Sequence, residues 1–310
     1  MLHGIMFNIL NLLEKKVVGG VGPGNTRYDE AAFRCQLSDG EFARFSRLIH
    51  DVAGIKLPPV KKTMLDGRLR RRLRAVGAGS FAEYFDYLSS PEGQAMELHN
   101  MLDAVSTNKT DFFREPKHFQ WLSERVLPEI TGRLRKGRGR RIRVWSAGCA
   151  TGKEPYTLAM VLAEFCDLHQ DIDYSILATD ISTVALAKAR LAIYEDFKIE
   201  PVPIALRNKY LLRGDGERQG YHRVVPRLRR KVDFRRLNFM DAVFELGEPL
   251  DIIFCRNVII YFDKQTQVEL FKKFYRHLKP GGYLFIGHSE SLLGIDGKMR
   301  RVAPTIFQKK

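Results

Sequence analysis

Cysteine is scarce in this chain and poorly placed for chemistry. Cys35, Cys149, Cys166 and Cys255 form no C-x-x-C pair, and no histidine cluster stands beside them. A disulfide scaffold is excluded, structural zinc is not expected, and a reducing, cytoplasmic setting is the simplest one. Long apolar runs are missing too: none reaches the roughly 20 residues that cross a bilayer. The apolar start, Leu2–Leu13, lacks the basic leading segment and the A-x-A site of a signal peptide. It reads as neither signal nor anchor, but as an amphipathic tail or extra sequence ahead of the true start. There is no internal repeat, no G-x-G-x-x-G and no G-K-[ST], so neither a dinucleotide pyrophosphate cradle nor a P-loop is present. Acid is in short supply: 36 Asp and Glu face 51 Lys and Arg over 310 residues, a formal charge of +15 and a pI near 9.7. Such a balance suits nucleic acid, an anionic membrane or an acidic protein surface, and does not choose among them. The 45% of hydrophobic residues rules out a disordered chain.

What is present falls into blocks. Val18–Asn25 reads VGGVGPGN, a flexible linker by composition, with order expected from near Ala31. Ser38 stands three residues before Glu41, a capping box opening a helix with Phe42, Phe45, Leu48 and Ile49 on one face. Lys62–Val76, Phe81–Leu88 and Glu97–Val105 read as further helices, so the first third is an all-helical bundle. Arg133–Arg143, dense in Arg and Gly, reads as a surface loop. Beyond it, apolar runs at Ile142–Trp145, Ser175–Ala178, Ile252–Cys255 and Tyr283–Ile286 alternate with helical stretches such as Pro155–Phe165 and Thr183–Arg190. That alternation predicts a parallel sheet wound in α/β fashion. From Tyr210 to Phe239 the pattern breaks. Tyr221–Val225 and Lys231–Phe234 suggest a small antiparallel insertion.

Four segments carry candidate chemistry. Val144–Gly152 is a strand running into a small-residue turn that opens a helix at Glu154. Ligands of open α/β sheets sit at such strand ends, and Glu154 beside a helix start suits a cationic cofactor better than a phosphate. The plain alternative is a strand–helix turn with no ligand. Ile176–Asp180 ends in a carboxylate that can take both hydroxyls of a ribose or merely cap the next helix. Asp251–Phe262 passes from apolar residues to Arg256 and Asn257 at its carboxyl end, with Tyr261 beyond. Upstream, Asn238 either meets an adenine edge or makes a turn. Ser106–Glu115, polar and then aromatic, joins the helical part to the α/β part. It contributes to a site between domains, or it is a linker with Phe112 and Phe113 packed inside.

Taken together, S-T-N-K-T-D-F-F-R-E at Ser106–Glu115, W-S-A-G-C-A-T-G-K-E-P-Y at Trp145–Tyr156, A-T-D-I-S at Ala178–Ser182 and F-C-R-N-V-I-I-Y-F at Phe254–Phe262 resemble the CheR-type chemotaxis receptor methyltransferases. L-K-P-G-G-Y-L at Leu278–Leu284, with Gly287-His288-Ser289-Glu290 after it, agrees. The resemblance runs over about residues 31–310 in the family's order. It implies a class I, Rossmann-like S-adenosylmethionine methyltransferase domain with a small antiparallel β insertion, preceded by an all-α domain. The expected boundaries are a tail over 1–30, the helical domain over 31–105, a linker over 106–118 and the methyltransferase domain over 119–310, its β-subdomain at about 210–236.

The implied activity is methyl transfer from S-adenosylmethionine to receptor glutamates, leaving glutamate methyl esters and S-adenosylhomocysteine. Carried over residue by residue, cofactor contacts fall on Asn108, Thr110, Arg114, Glu154, Asp180, Asn238, Phe239, Arg256 and Asn257. Arg114 and Tyr261 match positions that orient substrate, and no metal is implied. The nucleophile is a carboxylate already ionised at neutral pH, so no general base is required. His288, Ser289 and Glu290 are not read as a triad, since neighbours on a strand face opposite ways. The implied partner is the acidic helical bundle of a chemoreceptor. The helix carrying Lys61, Lys62, Arg68, Arg70, Arg71, Arg72 and Arg74 is then a docking face, or else simply solvated. Gly214, Gly216 and Gly220 accompany receptor C-terminal peptide binding in the family, or serve a hairpin turn. Two rivals stand beside this reading. A nucleic-acid methyltransferase usually shows N/D-P-P-Y/F/W where Cys255–Val258 stands here. A non-catalytic docking relative would lack the intact site residues.

Overall fold

A computed structural model describes residues 35–133, 140–294 and 297–310. The expected tail, the linker at Val18–Asn25 and residues 134–139 of the Arg-rich stretch lie outside them. Two units separate: one takes the described residues to Asp51 and Leu57–Ser106, the other Val52–Lys56 and Thr107–Lys310.

The first unit is helical: α1 (Asp39–Ala53), α2 (Lys62–Val76), α3 (Phe81–Ser89), α4 (Pro91–Met96) and α5 (Leu98–Val105). The capping box forms as the spacing requires. Ser38 Oγ accepts from the Glu41 N–H at 3.2 Å, and Glu41 Oε2 accepts from the Ser38 N–H at 2.8 Å. Leu65, Leu69 and Leu73 bury one stripe of α2 completely, and Phe45 stacks on Tyr84 at 6.0 Å. The buried Glu97 ties three helices by accepting from Arg72, Tyr84 and Asn100.

The second unit opens with α6 (Pro116–Trp121), a π turn (Leu122–Val126) and α7 (Leu127–Arg133). Then follow β1 (Arg140–Ala147), α8 (Lys153–Leu168), β2 (Ile172–Asp180), α9 (Thr183–Leu191), β3 (Ile193–Glu195), α10 (Asp196–Ile199), α11 (Ile204–Tyr210), β4 (Leu211–Arg213), β5 (Tyr221–Val224), α12 (Pro226–Arg229) and β6 (Val232–Arg236). The chain ends with β7 (Leu250–Cys255), α13 (Lys264–His277), β8 (Leu278–Ile286), β9 (Met299–Ala303) and β10 (Ile306–Lys309). Seven strands make the main sheet, in the order β6-β2-β1-β7-β8-β10-β9. The first five are parallel, and the last two close it as an antiparallel hairpin.

Strand alternation divides the core between the two faces of this sheet. Ile142, Val144, Ile252, Phe254, Tyr283 and Phe285 pack on one side with Phe119, Leu158 and Leu162. Trp145, Ala147, Ile253, Cys255, Leu284 and Ile286 pack on the other with Leu270, Phe271 and Phe274 of α13. Burial on both faces is why these strands read as unbroken apolar runs.

Two expectations need correction. Lys231–Phe234 does not belong to the antiparallel insertion. Val232–Arg236 is the edge strand of the main sheet and runs parallel to β2, with Phe234 opposite Ala178. The small sheet is β3-β5-β4 and begins earlier, at Ile193, so it spans 193–224 rather than about 210–236. Arg140–Arg143, read as part of a loop, starts β1. Gly214, Gly216 and Gly220 lie between β4 and β5. A Cβ on Gly214 would stand 2.2 Å from the Arg218 carbonyl oxygen, and Gly216 and Gly220 have φ of +52° and +86°. Closing the hairpin alone therefore demands glycine here.

Candidate active site

The turn after β1 is built by backbone. Gly148, Ala150 and Gly152 have φ of +80°, +47° and +87°. The Gly148 and Cys149 N–H groups donate to the Thr179 carbonyl at 2.8 and 2.9 Å. Asp180, at the tip of β2, accepts from the Ala150 N–H at 2.8 Å and the Ser182 N–H at 2.9 Å. Ser182 itself caps α9. Asp180 thus buttresses both the turn and a helix start, whatever else it binds. A Cβ on Gly148 would meet Val258 at 2.5 Å, so this glycine lets the loop after β7 close on the turn.

Arg256 ties the parts together. Its side chain is 2% exposed, and its Nε donates to Glu154 Oε2 at 2.8 Å. One Nη donates to the Arg114 carbonyl at 2.6 Å and lies 3.3 Å from His118 Nδ1 and 3.6 Å from Glu115 Oε2. The guanidinium also covers the Phe119 ring at 4.9 Å. Glu154 takes a second hydrogen bond from Ser146 Oγ at 2.7 Å. The carboxylate at the start of α8, expected to suit a cation, is buried and paired with one of the chain's own, and Arg256 holds three chain segments in register.

The segment before α6 is laid down by a second cation. Lys153 is 6% exposed, and its Nζ donates to the Thr110 carbonyl at 2.7 Å. Burial pulls its pKa down, against the upward pull of Asp111. The Phe113 N–H donates to Thr157 Oγ1 at 3.2 Å, and Asn108 reaches Ser182 Oγ at 3.4 Å. Phe112 is buried against Tyr194 at 4.9 Å, and the half-buried Phe113 packs edge-on to Phe119 at 5.5 Å. Arg114 is different. Among the described residues its guanidinium makes one long hydrogen bond, 3.4 Å to the Lys109 carbonyl, and it is half-buried.

Asn238 makes the turn that was one of its two readings. Its Oδ1 accepts from the Met240 N–H at 3.1 Å, and its Nδ2 donates to the Val52 carbonyl at 2.6 Å. The Phe239 ring packs among Trp145, Phe244, Phe262 and Phe274. Asn257 has φ of +59°, and its Nδ2 donates to Glu115 Oε1 at 3.3 Å. Tyr261 is half-buried while Phe262 is core. The Tyr261 carbonyl accepts from the Lys56 N–H at 2.8 Å, and its hydroxyl makes no hydrogen bond among the described residues.

Arg114, Glu154, Arg256 and Asn257 are thus joined directly or through Glu115. Asn108, Thr110 and Asp180 join them through Ser182, Lys153 and the turn. In the sequence Glu115 and His118 bear no mark as site residues, although Glu115 closes the Ser106–Glu115 motif, and Lys153 and Glu290 have no assigned role. His288–Glu290 lie in a turn beyond β8, not on a strand.

Two family models divide the chain. Residues 40–106 match the all-alpha domain of CheR methyltransferases, and residues 108–307 match the SAM-binding domain of CheR methyltransferases. The chain belongs to the CheR methyltransferase family. It is 37% identical to a chemotaxis protein methyltransferase of Borreliella burgdorferi, covering 92% of this chain and 99% of that one. The Salmonella typhimurium relative of the same name is 40% identical, covering 88% and 91%, and the Escherichia coli one 38%, covering 88% and 92%.

As a CheR-family enzyme the chain uses S-adenosylmethionine, and the site fits that cation. Glu115 and Glu154 share the single guanidinium of Arg256, leaving an excess negative charge in buried surroundings. Burial and Arg256 hold His118 well below the usual imidazole range, so it adds no positive charge at neutral pH. Glu115 Oε2 is buried with no hydrogen-bond donor. Glu115, His118 and His288 bring ligand atoms within 4.8 Å of one another, the spacing of a metal site. The Arg256 guanidinium already stands beside two of the three, 3.3 Å from His118 Nδ1 and 3.6 Å from Glu115 Oε2. Among the described residues, no helix is long and apolar enough to cross a membrane.

Proposed function

We propose that this CheR-family enzyme methylates glutamate side chains of a chemoreceptor's cytoplasmic helical bundle, forming glutamate methyl esters. One observation carries the reading. Arg256 binds the Arg114 carbonyl and Glu154 at once, which fixes Arg114 at the carboxyl ends of the strands while its guanidinium stays nearly unengaged. An under-used guanidinium suits an incoming carboxylate, which it can meet in bidentate fashion.

The chemistry asks little of the protein beyond placement. S-adenosylmethionine supplies a methyl group on a sulfonium, an activated leaving group. A glutamate carboxylate has a pKa of about 4.3 and is ionised at neutral pH, so no base has to take a proton from it. Water stabilises the separated charges more than the charge-cancelling transition state, so alignment in a dry site favours transfer. In this reading Asn108, Thr110, Glu154, Asp180, Asn238, Phe239, Arg256 and Asn257 surround the cofactor. Arg114 and Tyr261 orient the carboxylate.

The docking face narrows to part of α2. Lys62 pairs with Asp39, Arg70 with Asp66 and Arg72 with Glu97, while Arg68 donates to the Val105 and Ser106 carbonyls. Arg71 and Arg74 on the helix, and Lys61 just before its start, are the exposed members. They are the ones proposed to meet acidic receptor helices. Edge addition of a receptor C-terminal peptide to the β3-β5-β4 sheet is a second contact, supported by β3 and β4 being the outer strands of that small sheet.

The test offers labelled S-adenosylmethionine with receptor cytoplasmic fragments or RNA. Label on the receptor, released as methanol by mild base, is expected. Base-stable label, or label on RNA, would refute the reading.

A further inference from the structure

Glu290 is buried, charged and unused by the mechanism above. It is 7% exposed and follows β8 in the Gly287–Glu290 turn. Its Oε1 accepts from the Ile259 N–H at 2.9 Å and its Oε2 from the Gly287 N–H at 2.5 Å. Burial raises its pKa, and the N–H groups of Gly287, Asn257, Ile259 and Ile260 pull it back down. The carboxylate thus sits in a nest of backbone donors, most of them from the loop after β7. Gly287 permits the approach. A Cβ there would lie 2.9 Å from both the Asn257 nitrogen and Glu290 Oε2.

That loop carries both Asn257 and Tyr261. It is a short, strained piece of chain: Asn257 is left-handed, and Ile259–Tyr261 make one 3-10 turn. Its carbonyls are tied as well. Gln267 Nε2 donates to those of Ile259 and Phe262 at 3.1 and 3.0 Å. The N–H side has Glu290. We propose that Glu290 is a positioning residue, which sets the place of the Tyr261 side chain by gathering the N–H groups of the turn that bears it. The inference rests on the assignment of Tyr261 to the substrate carboxylate.

A double-mutant cycle tests it, with kcat measured on a receptor fragment at saturating cofactor and S-adenosylhomocysteine affinity measured by calorimetry. Glu290→Gln keeps the size but sets an amide N–H against backbone donors. It is expected to lower kcat by roughly 100-fold, the cost of about 1 Å of misplacement, with cofactor affinity within about twofold. In a Tyr261→Phe background the same change should cost almost nothing further. Equal losses in both backgrounds, or a normal kcat for Glu290→Gln, would overturn the inference. A Tyr261→Phe enzyme with full turnover would overturn the assignment of Tyr261 instead. Should Glu290→Gln not fold, Gly287→Ala keeps the carboxylate and crowds the same loop. Its kcat loss must likewise vanish with Tyr261→Phe, and persistence of that loss contradicts the proposal.

Discussion

Arg114 and Arg256 come from two motifs of similar appearance and end in opposite circumstances. Arg256 is dry, paired with Glu154, bonded to a carbonyl and stacked on Phe119. Arg114 is half-buried, with one long hydrogen bond from its guanidinium. The contrast supports the proposed division of work, in which a cation whose donors are committed holds the site together and a cation with spare donors is left for substrate.

The sharpest way to break the comparison is to delete Arg256. Its loss leaves Glu154 and Glu115 buried without their cation, so Arg256→Ala is expected to destabilise the chain by about 3–5 kcal/mol. A urea midpoint close to that of the wild type would show that the guanidinium is not structural. Removing Arg114 should do the reverse. Arg114→Ala is expected to melt normally and to lose roughly 100- to 1,000-fold in kcat/KM, the scale of losing one preorganised charge contact. Near-normal turnover would end the assignment of Arg114. Smaller effects belong to the first unit. Reversing Lys61 and Arg71 to Glu should raise KM for a receptor fragment about tenfold, leave kcat alone and flatten the salt dependence. An unchanged salt slope favours a merely solvated helix face.

The smallest effect is a pH dependence. The folded pKa of His118 is depressed by burial and Arg256. Between that value and the unfolded one of about 6.5, the unfolded chain binds the extra proton, so stability falls as the pH drops below about 6.5. A His118→Gln variant should show a shallower fall over that range in chemical denaturation, and an identical slope would count against it.

Much of this was legible in residue order. The apolar runs of β1, β2, β7 and β8 and the small-residue turn at Gly148–Gly152 declared a parallel sheet with a candidate site at the carboxyl ends of its strands. Ser38 and Glu41 declared a helix start. What stayed hidden depends on partners that a linear pattern does not name. Val232–Arg236 alternates buried and exposed residues as a hairpin strand would, and only its register with Ile176–Asp180 makes it an edge of the main sheet. The hairpin of β9 and β10 is made of two short strands interrupted by Arg300, Arg301 and Lys309, so its apolar residues form no run. The pairing of Glu154 with Arg256 was hidden because the two lie far apart along the chain.

Net charge was opaque for the same reason. Half of the basic run Arg227–Lys231 is answered at home, with Arg227 on Asp167 and Lys231 on Asp173. The Arg227 hydrogen bond holds Asp167 below its ordinary carboxylate value. The excess positive charge is therefore no uniform coat.

The central claim joins an ester-forming enzyme to a substrate-facing Arg114, and one assay reaches both. Wild-type and Arg114→Ala proteins, matched for S-adenosylhomocysteine binding, are incubated with labelled cofactor and receptor fragment, and methanol released by mild base is counted. The account predicts abundant volatile label from the wild type and almost none from the variant. Equal release from both, or none from the wild type, would contradict it.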